Sequence, residues 1–271
     1  MADITLTERD TEFLVESSRI KFLESDEVKS RKGVMRRQNL PTIPHGEPEK
    51  QKADVGYVGA FIQMRRVALS RQPLELEEIA QWQKLIVDEQ KEYGMTCDPR
   101  VRGMYRGPKL EVPLSAGNGE VVPANQVQQE MIAWGRDFNE AALKCMLASA
   151  YYQSIHIVEY AAVLIQRFER IAPFFAGNGC IGRMLFNYFT ILVKAPVFVF
   201  RVADHAAFIE ARQSPKAMQR FVAERLRLET ACKCGTLMPR VHTSGWVDSY
   251  LCPECKARVS IPRYALRPYL I

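Results

Sequence analysis

Two short stretches hold residues whose types and spacing suggest chemistry. The first, FFAGNGCIGR, runs from Phe174 to Arg183. Its Gly-Asn-Gly triplet separates two apolar helical patterns, and successive backbone N–H groups at such a helix start can bind an anion. The candidate phosphate-binding residues are Gly177, Asn178, Gly179 and Arg183. A sharp turn between two helices requires the same glycines, so a purely structural turn is the alternative.

The second stretch contains two close cysteine pairs, Cys232 with Cys234 and Cys252 with Cys255. Each pair adjoins a turn-forming Gly or Pro, and 17 residues of β-prone sequence separate the pairs. Four thiolates on paired turns are a donor set for tetrahedral structural Zn²⁺. We predict a zinc ribbon with these four ligands, although CKC is one residue shorter than the standard spacing. His242 is a less favoured ligand, and four reduced thiols are the alternative.

The first stretch resembles the signature of a known family. IAPFFAGNGCIGRMLFN is similar to the Fic (Fido) motif, roughly His-Pro-Phe-x-Asp/Glu-Gly-Asn-Gly-Arg-x-Gly-Arg. The matching residues are Pro173, Phe174, Gly177, Asn178, Gly179, Gly182 and Arg183. GMYR resembles the start of the family's flap, and HIVEYAAVLIQRFERI resembles the helix before the motif. The resemblance covers about residues 56–212 and implies a mainly α fold, a Fic-like helical bundle with a β-hairpin flap.

The resemblance also implies which residues should perform the chemistry, and these differ here. In the family the motif histidine is the general base, the acidic residue holds Mg²⁺ on a nucleotide, and the first arginine braces the distal phosphate. The corresponding positions hold Ala172, Ala176 and Cys180. Loss of a positioned base alone costs about 10²–10⁴ in rate. We therefore expect no catalytic residue, and we interpret Cys180 as a packed, inert thiol. An engineered substitution would explain Ala172 alone, whereas three changed positions favour natural degeneration.

Three functional hypotheses follow from these residues. The leading one is a catalytically degenerate Fic-like protein that acts by binding, as an adaptor or regulator. Its rival is a residual protein nucleotidyltransferase (AMPylator-like) or phosphate-group transferase, with Arg183 and the Gly-Asn-Gly amides as a clamp. The third is a structural subunit of a larger assembly. ATP or another nucleotide would bind weakly, and the flap edge would hold a protein partner by strand addition.

Composition limits the class of protein. The chain is 47% hydrophobic and 25% charged, as in ordinary globular proteins. Its longest apolar runs, such as 191–200, are interrupted by Lys194 and Pro196 and are too short to span a bilayer. The amino end is polar and lacks a secretory signal pattern. We predict a cytoplasmic protein, and in that reducing setting we expect the cysteines to be metal ligands or isolated thiols and not disulfides.

The elements that would position these residues are mainly helical. The pattern predicts three parts: a helical extension and charged arm (1–55), a Fic-like domain (56–230) and the zinc ribbon (231–271). An irregular hairpin with an AGNG turn is predicted around residues 104–123. The helical periodicity of apolar residues predicts helices at 7–28, 57–71, 74–92, 125–147, 150–171, 180–194, 205–212 and 215–229.

Charge is concentrated at the carboxyl end. From Arg201 onwards there are twelve Lys and Arg against six Asp and Glu, which equals the net charge of +6 for the whole chain. Such an excess favours an acidic partner. Trp246 and Tyr250 lie among several of these cations and would stack on bases. We therefore predict that the ribbon contacts DNA, RNA or a protein partner, and a ribbon that only packs on the Fic-like domain is the alternative.

Overall fold

The helices of the computed structural model account for most of the residues that it describes. Those residues are 6–31, 55–88, 102–108, 121–148, 153, 156–195, 197–228, 240–243 and 247–262. The α-helices are α1 (Glu8–Arg31), α2 (Val55–Ser70), α3 (Leu76–Asp88), α4 (Val127–Leu147), α5 (Ala162–Ile171), α6 (Asn178–Leu192), α7 (His205–Ala211) and α8 (Pro215–Leu228). The prediction of a mainly α fold is confirmed.

Helix boundaries differ from the sequence patterns by a few residues at several ends. A π-helical turn, Ile157–Ala161, precedes α5 where the periodicity predicted one regular helix. Helix α1 continues to Arg31, three residues beyond the helix predicted at 7–28 and into the predicted charged arm. The rest of that arm, and residues 109–120 of the predicted flap hairpin, lie outside the described residues.

Helix α6 lies at the centre of the bundle. Every residue from Cys180 to Leu192 is buried. The helix contacts α1, α2, α3, α4, α5 and the π-helical turn. A helix that is apolar on all sides is stable only when it is surrounded, and the sequence CIGRMLFNYFTIL has this character. The position of α6 therefore fixes the loop that leads into it.

Asparagine side chains join α6 and α4 to neighbouring extended segments. Asn187 of α6 accepts the N–H of Phe198 at 2.7 Å and donates to its carbonyl at 3.0 Å. Asn139 of α4 binds both backbone groups of Leu74 in the same way, at 2.8 and 3.1 Å. Each amide therefore satisfies one backbone donor and one backbone acceptor of the residue that it faces.

Helix α1 is attached to the bundle through its first turn. Thr7 and Asp10 form a capping box, in which the N–H of Asp10 reaches Oγ1 of Thr7 at 3.2 Å and the N–H of Thr7 reaches Oδ2 of Asp10 at 2.8 Å. The same carboxylate, 1% exposed, pairs with Arg65 of α2. Burial of a charge requires such a partner, so this pair fixes how α1 enters the fold.

The carboxyl-terminal part forms a three-stranded antiparallel sheet. The strands β1 (Arg240–Thr243), β2 (Val247–Leu251) and β3 (Arg258–Pro262) follow one another in space as in sequence. Tyr250 is only 2% exposed, so the expectation that its ring stacks on nucleic-acid bases is wrong. Trp246 lies outside the described residues. Among the helices described, none combines the length and apolar character needed to cross a membrane.

Candidate functional site

The Gly-Asn-Gly turn is held by its own asparagine. Gly177 has a φ of +83°, a left-handed conformation that glycine adopts without strain. Asn178 starts α6, and its amide accepts the N–H of Phe174 at 2.9 Å and donates to the Phe174 carbonyl at 2.7 Å. Since Oδ1 and Nδ2 both serve the loop backbone, Asn178 acts first as a clamp on the loop.

Helix α3 covers the other side of the turn. A Cβ placed on Gly177 would lie 3.7 Å from Ile86 and 4.0 Å from Val87. Gln83, which is fully buried, donates from Nε2 to the carbonyl of Ala176 at 3.2 Å and accepts the N–H of Gly103 at 2.6 Å. One side chain therefore joins the motif loop to the segment that precedes the predicted flap.

Ala172 ends α5 in a left-handed conformation. Its φ and ψ are 44° and 61°, and its N–H bonds to the carbonyl of Phe168 at 2.9 Å. A residue with a Cβ pays about 1 kcal/mol or more for this conformation. The methyl side chain is 4% exposed and offers no proton acceptor at the position of the family's base.

Arg106 fixes this helix end from the preceding segment. Its Nε donates to the carbonyl of Ala172 at 2.7 Å, and its Nη2 donates to the carbonyls of Ile171 and Val122, each at 2.9 Å. The N–H of Arg106 also donates to the carbonyl of Pro173 at 2.7 Å. A helix leaves its last carbonyls without partners, and this guanidinium supplies donors for two of them.

Cys180 and Arg183 belong to α6 and lie in the interior, where this helix packs on α1 and α2. Cys180 is 2% exposed and Arg183 is fully buried. Nη2 of Arg183 lies 3.1 Å from the carbonyl oxygen of Ser17 and 3.6 Å from Sγ of Cys180. Burial raises the pKa of the Tyr57 phenol well above its usual range, Cys180 adds to the rise, and Arg183 opposes it. The guanidinium that was predicted to contact phosphate thus contacts α1.

Gly182 lies against the Glu169 side chain, where α6 packs on α5. A Cβ at this position would lie 2.7 Å from Oε1 of Glu169. Glu169 is 3% exposed, and its Oε2 pairs with Nη2 of Arg212 at 3.0 Å. Gly182 and Arg183, two of the seven motif residues that match the family, therefore both contact neighbouring helices in this structure.

Three further nucleophilic or basic side chains, Cys145, His156 and His205, also have structural surroundings. Burial, with a smaller contribution from Glu159, raises the pKa of the Cys145 thiol to about 12, so this thiol stays protonated. His156 lies 3.2 Å from the same glutamate, at the start of the π-helical turn. His205 is 9% exposed at the start of α7. Their places in the sequence, on an apolar helix and near a helix start, predict structural and not catalytic roles for both histidines, and these positions agree with that prediction.

The second cysteine pair forms a tight turn between β2 and β3. The N–H of Cys255 lies 3.5 Å from Sγ of Cys252 and points to it. The N–H of Cys252 donates to the carbonyl of Ala257 at 2.8 Å, and Lys256 has a φ of 59°. Cys232 and Cys234 lie outside the described residues, and the residues described contain no group of three metal-binding side chains.

Residues 73–190 match the model of the Fic/DOC family. This confirms the resemblance for the part of the chain that holds α3, α4, α5 and most of α6, including the Gly-Asn-Gly loop. The comparison with curated proteins gave no match.

Solved structures agree with this assignment of the fold. A Fic domain-containing signaling protein from Bacteroides thetaiotaomicron is 17% identical, with a TM-score of 0.52 and 80% of each chain covered. A fragment of Fic-1 from C. elegans is 15% identical, with a TM-score of 0.54. The match covers 81% of the present chain and 61% of that fragment. At these identities the similarity establishes the fold alone.

Sequence patterns did not predict that Arg106 and Gln83 hold the motif loop. Arg106 belongs to the GMYR segment, which indicated only the start of a flap. Gln83 follows Trp82 on the buried face of α3, and a polar residue among buried apolar ones was the available signal. Neither pattern indicates the motif loop as the partner, because both contacts join segments that are distant in sequence.

Proposed function

We propose that this protein is a catalytically degenerate Fic-domain protein that acts by binding, as an adaptor or regulator. One observation carries the proposal. The three positions at which the resemblance implies a base, a carboxylate and a guanidinium hold Ala172, Ala176 and Cys180. The contacts of these residues stabilise the fold. Ala172 ends a helix held by Arg106, and the carbonyl of Ala176 accepts Gln83. Cys180 is packed beside Arg183.

The donor set at the loop does not suit a catalytic Mg²⁺. A divalent cation of this kind requires carboxylate or other oxygen ligands and retains several waters. At the position of the metal-binding acid the chain has Ala176, whose only oxygen is a carbonyl that accepts the Gln83 amide at 3.2 Å. We therefore derive no step through a metal at this site.

The Gly-Asn-Gly loop would still bind a nucleotide weakly. The candidate contacts are backbone amides of Gly177 and Gly179 at the start of α6, where the helix dipole favours an anion. Asn178 and Arg183 would contribute only if a ligand replaced their contacts with Phe174 and Ser17. Such a ligand would bind without the groups needed for transfer.

The test is protein modification with radiolabelled ATP and Mg²⁺. We expect no transfer above background. Any transfer should be at least about 10⁴ slower than that of an intact Fic enzyme, because the base and the metal-binding carboxylate are missing. Ala172→His/Ala176→Asp is the matched variant, since it restores both groups on the same loop.

Transfer by the unmodified chain at a rate comparable with that of an intact enzyme would overturn the proposal. If that transfer also falls on Arg183→Lys, the residual nucleotidyltransferase is the better description. If the unmodified chain transfers nothing and the double variant gains activity, the Gly-Asn-Gly loop still binds nucleotide and has lost only its reactive groups.

We further propose that Cys232, Cys234, Cys252 and Cys255 hold a structural Zn²⁺ and that the ribbon contacts nucleic acid or a protein partner. The turn at Cys252 supports the metal part, because an N–H directed at sulfur suits a metal-bound thiolate. The donors would be soft, which fits zinc. Lys256 and Arg258 are exposed next to this turn and supply positive charge for the partner.

Metal analysis of the purified protein should give about one Zn per chain. Cys252→Ser should weaken zinc binding at least about 100-fold, because it removes a ligand itself, and loss of a residue that only orients a ligand already costs about 10- to 100-fold. Cys145→Ser is the matched control, since this buried thiol belongs to α4, and it should retain the metal.

Binding of labelled DNA and RNA by the same samples tests the ribbon's partner. A nucleic-acid ribbon would bind at low salt, lose affinity steeply as salt rises, and lose it again on chelation. A metal-containing ribbon that binds neither nucleic acid at low salt would favour a protein partner. A full-length protein without zinc would contradict the metal proposal.

A further inference from the structure

Helix α4 carries a row of exposed residues on the side opposite its buried face. Its buried side includes Met131, Trp134 and Phe138. The exposed row is Ile132, Arg136, Glu140, Leu143 and Leu147. The steps of four, four, three and four residues place all five on one side of a helix.

The apolar members of this row are unusually open to solvent. Ile132 is 60% exposed, Leu143 51% and Leu147 78%. They make up half of the six large exposed apolar residues found in the described part of the chain. A single exposed leucine needs no explanation, whereas three on one helix face indicate a surface that another molecule covers.

The charged members of the row make it complementary to itself. Arg136 and Glu140 lie between Ile132 and Leu143, with side chains 77% and 61% exposed. When a second α4 lies antiparallel across a two-fold axis level with position 138, Arg136 of each copy faces Glu140 of the other. The same register places Ile132 level with position 144, one residue from Leu143, so the two apolar side chains meet across the contact. A parallel arrangement would place like charges together, so the row selects the antiparallel pair.

We propose that this face of α4 is a homodimer interface, in which two copies of the chain pack antiparallel through Ile132, Leu143 and the reciprocal Arg136–Glu140 pairs. The occupant is a second copy because an isologous contact needs a patch that complements itself, and this one does. A contact through one helix of this length is at the small end of specific interfaces, so the dimer should dissociate on dilution.

Sedimentation equilibrium of the full-length protein over a range of concentrations tests the proposal. Wild type should show a reversible monomer–dimer equilibrium. Arg136→Glu and Glu140→Arg should each raise the dimer dissociation constant at least about 10-fold, because each places two like-charged pairs at the two-fold axis. The double variant Arg136→Glu/Glu140→Arg should return the constant to near the wild-type value.

Leu143→Asp should abolish the dimer, whereas Leu69→Asp, a matched change at a residue 50% exposed on α2, should leave it intact. Circular dichroism of each variant separates loss of association from loss of folding. A protein that stays monomeric at high concentration overturns the proposal. So does a dimer that the single charge reversals do not weaken, or one that the charge swap fails to restore.

Discussion

Cys180→Arg should destabilise the protein by about 3 kcal/mol or more, although arginine is the residue that the Fic resemblance implies at this position. Cys180 is 2% exposed, and its Sγ lies 3.6 Å from Nη2 of Arg183. A second guanidinium would have to enter a filled space beside an existing buried cation. Overpacking and like-charge repulsion would therefore act together.

Urea unfolding of Cys180→Arg measures this effect. Cys180→Ser, which changes the volume little, should lose only about 1 kcal/mol, since it adds a small polar group to the interior. If Cys180→Arg proves as stable as wild type, its side chain must leave the interior towards the loop. The position would then still accept the family's residue, and the interior would not have adapted to cysteine.

Arg106→Ala is expected to lower the free energy of unfolding by about 3–5 kcal/mol. The guanidinium donates to three backbone carbonyls, at 2.7, 2.9 and 2.9 Å, and Arg106 is 4% exposed. Alanine would remove the donor from all three carbonyls, and the bonds to Ala172 and Ile171 are buried. The strained end of α5 at Ala172 would also lose its side-chain contact with the start of the predicted flap.

Arg106→Lys should lose roughly half as much, because one ammonium cannot reproduce the planar fork that reaches carbonyls on both sides. Arg66→Ala, an exposed arginine on α2, is the control and should change stability by less than about 0.5 kcal/mol. Hydrogen exchange should report faster opening around 170–176 in Arg106→Ala. A loss below about 1 kcal/mol would contradict this role for Arg106.

Local pattern accounts for most of the helices. The apolar sequence of α6 predicts a surrounded helix, and all its residues from Cys180 to Leu192 are buried. The π-helical turn at Ile157–Ala161 was not predicted, because its extra residue per turn leaves little trace in a periodicity of 3.6. The zinc ligands and the domain boundaries remain predictions from spacing and composition.

The loop chemistry could be judged in part from the sequence. The residues at 172, 176 and 180 carry no base, carboxylate or guanidinium whatever the fold does. The role of Arg183 could not be judged in this way. A side chain in the first turn of a helix can point either outward to a ligand or inward to the core. Its contact with Ser17 joins residues 166 positions apart, and only packing of α1 on α6 brings them together.

The sequence by itself determined the helical character, the Fic resemblance and the absence of the family's reactive side chains. These properties depend on residue identity and on spacing over a few turns, which local physical chemistry governs. The tertiary structure alone decided that Arg106 and Gln83 hold the motif loop and that Arg183 and Tyr250 are buried. Such contacts depend on which faces of distant segments meet, because burial and hydrogen bonding across a core are satisfied only by the whole fold.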